Sequence, residues 1–277
     1  MEKSKLSSKT LLKQLSQKKY LKNKKTVKVG EIKVCREDFD IDNLDLANTT
    51  NSHEKQRNPQ HDKKLDIKRE FGFKNLKKLL DNTSSCQISD AMSKISKRSG
   101  VLEGIKSING KKAYGIVYTV YTSSDDWGTP LYGIDEAKKG NILFIKTSGG
   151  KSAVWGELTS SCSYEKGLAG TVIYGATRDI DFVKNFEYPV FAKETAPNAG
   201  NALGLGKTNI SIEIETKPKT NIQTGDFIFG DESGVVHVPK ELFCEVMIKI
   251  LEIKKNEAQI LSEIKKRTPL SEILGLK

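Results

Sequence analysis

Between residues 113 and 238 the chain carries a series of short runs dense in β-branched and aromatic residues, separated by segments of helical character. AYGIVYTVYT, NILFIKT, TVIYG and YPVFA read as strands, because such side chains pack well on a pleated surface. NISIEIET alternates as a half-exposed strand, and DFIFGDESGVVHVP reads as a hairpin turned at Asp231-Glu232-Ser233-Gly234. The intervening GIDEAKKG and SAVWGELTSSCSYEKG read as helices, and DFVKNF as one helical turn. Upstream, FKNLKKLLD places Leu76, Leu79 and Leu80 on one helical side. Thr83-Ser84-Ser85 and Ser89-Asp90 supply helix-start chemistry for SDAMSKIS. Residues 240–267 form a long amphipathic helix that stops before Pro269. Helices and strands mix without strict βαβ alternation, which predicts an α/β sandwich of strands with flanking helices and not a doubly wound sheet.

The first 70 residues differ in kind. Residues 1–25 are Lys-rich, with Leu6, Leu11, Leu12, Leu15 and Leu21 as a ragged stripe, and VKVGEIKV alternates like a strand. Residues 46–69 have almost no apolar content and read as a linker, since they bury too little surface to offset ordering entropy. Residues 1–70 hold 18 Lys and Arg against 11 Asp and Glu, a net of +7 out of the chain's +11, so the remainder is near neutral. We therefore divide the chain into a basic N-terminal extension, 1–70, and a globular domain, 71–277. The extension reads as a solvated tail or as a contact for RNA or an RNA-processing partner; clustered lysine attracts phosphate without reading sequence. It lacks the interleaved aromatics that stack on bases.

Cys35, Cys86, Cys162 and Cys244 are scattered without a CxxC pair, which argues against a zinc site or disulfide framework and fits a reducing cytoplasm. No apolar run approaches the ~18 residues of a membrane span. Residues 1–25 lack the apolar stretch of a secretory signal.

The residues with the most chemical content are Glu157, Arg178 and Asp179. Arg178-Asp179 follows the strand-like TVIYGAT, and Glu157 precedes Arg178 with twenty residues between them. Such a set can bring a planar cation, a metal-binding carboxylate and a second acid into one pocket, suited to a small oxo acid on a divalent metal. Gly149-Gly150 reads as a turn leading into a helix whose first N–H groups form an anion site, at Gly156, Glu157, Leu158 and Thr159. Mg²⁺ or Mn²⁺ on Asp179 would polarise a keto oxygen, and Glu157 would position or deprotonate a water. The competing reading of Arg178–Asp179 is a surface ion pair or a structural cap.

Other features carry less. ALGLGKTN lacks the glycine a phosphate loop needs at position 201, which is Asn201, and reads as a flexible loop. His237, in VVHVP, reads as a half-buried structural histidine, and His53 and His61 fall in the linker. Cys86 and Cys162 read as buried small apolar residues. Asp125-Asp126 reads as a loop at a strand end, not as a metal pair.

Taken in order, SSCQISDAM, KKGNILFI, AVWGELTSS, GLAGTVIYGATRD, YPVFAKETAP and GDFIFGDESGVVHVP resemble the family of the regulator of ribonuclease E activity A (RraA), which includes class II 4-hydroxy-4-methyl-2-oxoglutarate aldolases. The resemblance covers about residues 72–255. It implies a β/β/α sandwich of the swivelling-domain type, with the long C-terminal helix appended, and assembly as a homotrimer or a hexamer. It implies a metal-dependent lyase that cleaves such an aldol or decarboxylates oxaloacetate. Gly156 to Thr159 and Arg178 would then hold the pyruvyl carboxylate, and Asp179 would face the metal. The family's aldolase pattern has an acid, usually Asp, where this chain has Glu157. The rival expectation is a non-catalytic regulator of RNA processing. A third is an enzyme of the same fold with another substrate, such as a sugar-derived acid.

Overall fold

A computed structural model describes residues 73–216 and 219–276. Expectations that fall on residues 1–70, including the basic helix, the VKVGEIKV strand and the linker with its two histidines, lie outside the described residues.

Two helices open the domain: α1, Phe73–Asp81, and α2, Ser85–Ser96. Ser84 caps α2 by accepting the N–H of Gln87, whose side chain in turn accepts the N–H of Ser84, a reciprocal capping box. The helix therefore starts at the Thr-Ser-Ser cluster, and Ser89-Asp90 lies in its interior. Its start is also tied to the sheet, since Asp231 accepts both the N–H and the hydroxyl of Ser85, at 2.8 and 2.7 Å.

Eleven strands follow among the described residues: β1 Lys106–Ser107, β2 Ala113–Ser123, β3 Ile142–Ser148, β4 Ala153–Trp155, β5 Gly170–Thr177, β6 Val190–Thr195, β7 Lys207–Thr208, β8 Ile212–Ile214, β9 Thr220–Ile222, β10 Phe227–Asp231 and β11 Gly234–Val238. The main sheet runs β1-β6-β5-β3-β2-β10-β11, with β4 added to β5 and β7 to β2. Strands β2, β3, β5 and β6 are parallel neighbours, whereas β1, β10 and β11 pair antiparallel. The two ends approach one another, as Val101 bridges to Val236, so the sheet is nearly closed into a barrel. Strands β8 and β9 form a separate two-stranded flap. The architecture is the mixed α/β fold expected from the sequence.

Parallel strands need crossovers, and helices supply three of them. These are α3 Gly128–Glu136 between β2 and β3, α4 Glu157–Lys166 between β4 and β5, and α5 Ile180–Asn185 between β5 and β6. The centre of the sheet is thus a true βαβ series, which the antiparallel flanks obscure in the sequence. Helix α3 starts five residues before GIDEAKKG because Asp126 caps it: its Oδ1 accepts the N–H groups of Gly128 and Thr129. AVW is a strand and not the first turn of α4. All three of its side chains are buried against β5, and Gly149-Gly150 therefore turns into a strand.

Three apolar clusters hold the domain together. Phe144, Val172, Phe191 and Ile228 fill the barrel interior beneath the flap residues Ile212, Ile214 and Ile222. Trp155, Ile173, Val183 and Tyr188 lie under the crossover helices. Leu76, Leu79, Leu80, Phe227 and Phe229 pack with Val246, Met247, Ile250 and Ile253 of the long helix α6, Phe243–Lys265. A short helix α7, Leu270–Ile273, follows. Cys86 and Cys162 are exposed, contrary to the sequence reading; the buried positions beside them are Ser85 and Ser163. Among the described residues no helix is long and apolar enough to cross a membrane.

Candidate functional site

The carboxyl ends of parallel strands are where α/β sheets offer their ligand crevices. Arg178 and Asp179 stand there, immediately after β5. The N–H of Arg178 donates to the carbonyl of Trp155, 2.9 Å away, so the end of β5 is pinned to the end of β4. Asp179 then takes the left-handed conformation, φ 55°, which an L-residue adopts only in special settings and Asp tolerates better than most. That kink starts α5 and turns the Asp179 carboxylate back toward α4. Its Oδ2 accepts the N–H of Glu157 at 3.0 Å. Both its oxygens also lie 3.3 Å from Nε of Arg178.

Gly156 makes this closeness possible. A Cβ at 156 would sit 2.3 Å from Asp179 Oδ2 and 3.0 Å from Cγ of Arg178. Its backbone is extended, so the requirement is for space and not for an unusual φ. Thr159 locks the turn by accepting the Gly156 N–H at 2.9 Å and lying 3.1 Å from the Gly156 carbonyl. Trp155 Nε1 donates to Ser160 Oγ at 2.9 Å, which fixes the indole under the helix.

Four of the six sequence-predicted residues therefore meet in one constellation: Gly156, Thr159, Arg178 and Asp179. Glu157 joins it through its backbone only. Its side chain is exposed and makes no ion pair or hydrogen bond among the described residues. Leu158 points outward at 79% exposure, so its contribution is its N–H. The N–H groups of Leu158 and Thr159 have no carbonyl four residues back within the helix, whereas that of Glu157 is already used by Asp179. Among the described residues the anion site thus has two uncommitted helix-start donors, not the wider set the glycine turn suggested. The surface-ion-pair reading is also partly met, since Arg178 and Asp179 do pair, with side chains 42% and 31% exposed.

A carboxylate offers about four lone-pair directions, so Asp179 retains capacity for a cation. Among the described residues no three His, Cys, Asp or Glu side chains are gathered as a metal cluster. Catalytic zinc usually takes three protein ligands, which this donor set cannot supply. Mg²⁺ or Mn²⁺ suits it better, since Mg²⁺ is commonly held by one or two carboxylates with water and substrate completing the octahedron.

Sequence reasoning missed the element that braces this edge of the sheet. Asp126 is buried. Besides capping α3, it accepts the N–H groups of Leu203 and Gly204 on Oδ1, at 3.0 and 2.8 Å, and that of Leu205 on Oδ2, at 2.9 Å. The hydroxyls of Thr129 and Thr122 also donate to Oδ2, at 2.6 and 2.9 Å. Burial alone would raise its pKa, but these hydrogen bonds outweigh it and hold the carboxyl well below the usual carboxylate range. The LGLG segment, residues 203–206, is therefore an anchored loop and not a free one, with the N–H groups of Leu203, Gly204 and Leu205 committed to an internal carboxylate instead of a phosphate. The signal available in the sequence was the pairing of a glycine-rich loop with an unexplained Asp-Asp. The same loop lies along β4, as Ala153 donates to the Asn198 carbonyl at 2.8 Å and bridges to Ala199.

A model of the RraA-like family, described as Aldolase/RraA, matches residues 85–237. The uncharacterized protein MJ0644 of Methanocaldococcus jannaschii is 38% identical over 179 residues, which are 63% of this chain and 85% of that protein. A Halalkalibacterium halodurans protein named "Putative 4-hydroxy-4-methyl-2-oxoglutarate aldolase" is 32% identical over 155 residues, 55% of this chain and 71% of that one. Among solved structures, an uncharacterized protein from Pseudomonas syringae pv. tomato aligns with a TM-score of 0.62 at 27% identity, over 72% of this chain and 96% of that one.

Proposed function

The chain belongs to the RraA-like family, and from that premise we propose that it is a divalent-metal-dependent lyase acting on a small 2-oxo acid. Oxaloacetate and 4-hydroxy-4-methyl-2-oxoglutarate are the substrates this reading names first. The observation that carries it is the convergence of the Arg178 guanidinium, the Asp179 carboxylate and the free N–H groups of Leu158 and Thr159 at one partly exposed strand end. The name of the Halalkalibacterium halodurans relative points to the same chemistry.

In this mechanism the substrate carboxylate sits on the helix-start N–H groups and receives the planar fork of Arg178. The side chain that pairs with Asp179 through Nε still has its terminal nitrogens to offer. Asp179 would hold Mg²⁺ or Mn²⁺, with Glu157 at the rim. The ion, when bound, supplies Lewis acidity at the oxo group next to the held carboxylate. Glu157 exchanges a proton with water or with the leaving fragment; its exposed side chain can reach either without first breaking an internal bond. Gly156 and Thr159 do no chemistry and set the distance between the anion site and the carboxylate. Loss of CO₂ from oxaloacetate and aldol cleavage both leave pyruvate, so one anion site serves both.

A homotrimer or hexamer in a reducing cytoplasm completes the proposal, and the exposed Leu158, Leu203 and Leu205 support assembly. The test is pyruvate release by the purified full chain from each substrate, with Mn²⁺ and after EDTA. Release that EDTA removes and Mn²⁺ restores is expected. Absence of release from a folded oligomer with any divalent metal would overturn the lyase reading in favour of a binding protein.

A further inference from the structure

Helix α6 is longer than the domain it packs on. Its apolar stripe runs through Val246, Ile250, Ile253, Ile260 and Ile264, with Met247 and Leu261 alongside, at the three- and four-residue spacing of one helical face. The first half is buried among Leu76, Leu79, Leu80, Ile88 and Met92. That cover ends where Lys254 Nζ donates to the Asn82 carbonyl and Gln87 to Glu257. Beyond it, Leu261 and Ile264 are 56% and 41% exposed, and Leu270, Leu274 and Leu276 are exposed after them. Lys265 and Arg267 border this surface, with no ion-pair partner among the described residues.

The N-terminal extension contains a segment of complementary chemistry. Within a stretch that is otherwise strongly basic, residues 37–46, EDFDIDNLDL, hold five acidic residues, no Lys or Arg, and the apolar Phe39, Ile41, Leu44 and Leu46. We infer that residues 37–46 dock on the uncovered apolar face of α6 around Leu261 and Ile264, their acids facing Lys265 and Arg267. The tether allows it. Twenty-six residues separate Leu46 from Phe73, where the described chain begins. At up to about 3.3 Å per residue they reach any point on a helix of roughly 35 Å. The chain also enters the domain on the right side, because Leu76, Leu79 and Leu80 pack in the same cluster as the buried half of α6. A short tether raises the local concentration of such a segment to about the millimolar range, so weak contacts suffice.

The experiment is amide hydrogen exchange on the full chain, with Leu261→Asp and Ile264→Asp combined in one variant. Both positions are exposed, so the fold should survive the change, and circular dichroism checks this. Residues 37–46 are expected to exchange at least about tenfold more slowly in the wild type than in the variant, with residues 258–266 losing protection in parallel. The slowing should also shrink in high salt, as the charge pairing requires. Exchange of residues 37–46 at the free-peptide rate in the wild type would overturn the proposal, as would protection that the double variant leaves intact. Two rival occupants are read in the same samples. A mass that falls on substitution, without any protection of residues 37–46, assigns the face to a second copy of the chain and overturns it. Flotation with phosphatidylserine vesicles that depends on Leu261 and Ile264, again without such protection, assigns it to an anionic lipid surface and overturns it too.

Discussion

The backbone N–H of Glu157 donates to the carboxylate of Asp179 at 3.0 Å, so the acid proposed to hold a cation is positioned by the main chain of the helix proposed to hold the substrate. Two functions that the sequence places 22 residues apart are thereby fixed relative to one another. The contact depends on the absence of a side chain at Gly156.

Gly156→Ala tests that dependence. The added Cβ would lie 2.3 Å from Asp179 Oδ2, so the carboxylate must move. The extended backbone at 156 accepts alanine without strain, and stability should change by no more than about 1 kcal/mol. Pyruvate release should nevertheless fall by roughly 100-fold, the scale set by a misplacement of about 1 Å. Thermal melts and steady-state rates on the same preparation separate the two effects.

Arg178→Lys keeps the charge and loses the planar fork. A charge-assisted hydrogen bond contributes about 1.5–3 kcal/mol, so kcat/KM should fall by roughly 10- to 100-fold. Because the contact is to the unreacting carboxylate, most of the loss should appear in KM. A drop confined to kcat would place Arg178 at the reacting centre instead.

Asp126→Asn should release the loop at residues 203–206 and destabilise the domain by about 2–4 kcal/mol, since a buried hydrogen-bonded charge is removed from several donors. The pH dependence follows from the sign of its shift. Its folded pKa is lowered, so its contribution is fully present above the unfolded value of about 3.9 and is lost as pH falls below that toward the folded value. Urea titrations between pH 3 and 7 should show the wild type losing stability below about pH 4 more steeply than Asp126→Asn.

His237 Nε2 and Asp226 Oδ2 are 2.8 Å apart and both side chains are buried. Asp226 also accepts the N–H groups of Gln223 and Lys240, so it ties β11 to the turn that begins α6. His237→Ala leaves a buried carboxylate without its side-chain partner and should cost about 3–5 kcal/mol, with pyruvate release per folded molecule unchanged. Equilibrium unfolding and active-site titration together check this.

These residues also show what could be read in advance. Strands β2, β3, β5 and β6 were legible through their density of β-branched and aromatic residues, and α6 because its stripe keeps the helical period from Val246 to Ile264. The β4 strand was not, since AVW is three residues long and only Gly156 separates it from the helix that follows. Arg178 and Asp179 were legible through residue type and position after a strand. That the Glu157 side chain is exposed and Asp126 buried was not, because an acid looks the same in sequence in either setting and only tertiary contacts decide whether it is solvated. Cys86 and Cys162 failed for the same reason: each lies on the outer side of a helix whose inner side is filled by serine or larger apolar residues.

Asp179 is proposed to hold the metal on which turnover depends. This role is tested most directly by following pyruvate release from oxaloacetate, by the wild type and by Asp179→Asn, across a Mn²⁺ titration after EDTA treatment. Wild-type activity should return saturably with Mn²⁺, and Asp179→Asn, folded and equally oligomeric, should stay inactive at every concentration. Equal activity of the two proteins, or wild-type activity indifferent to EDTA, would contradict it.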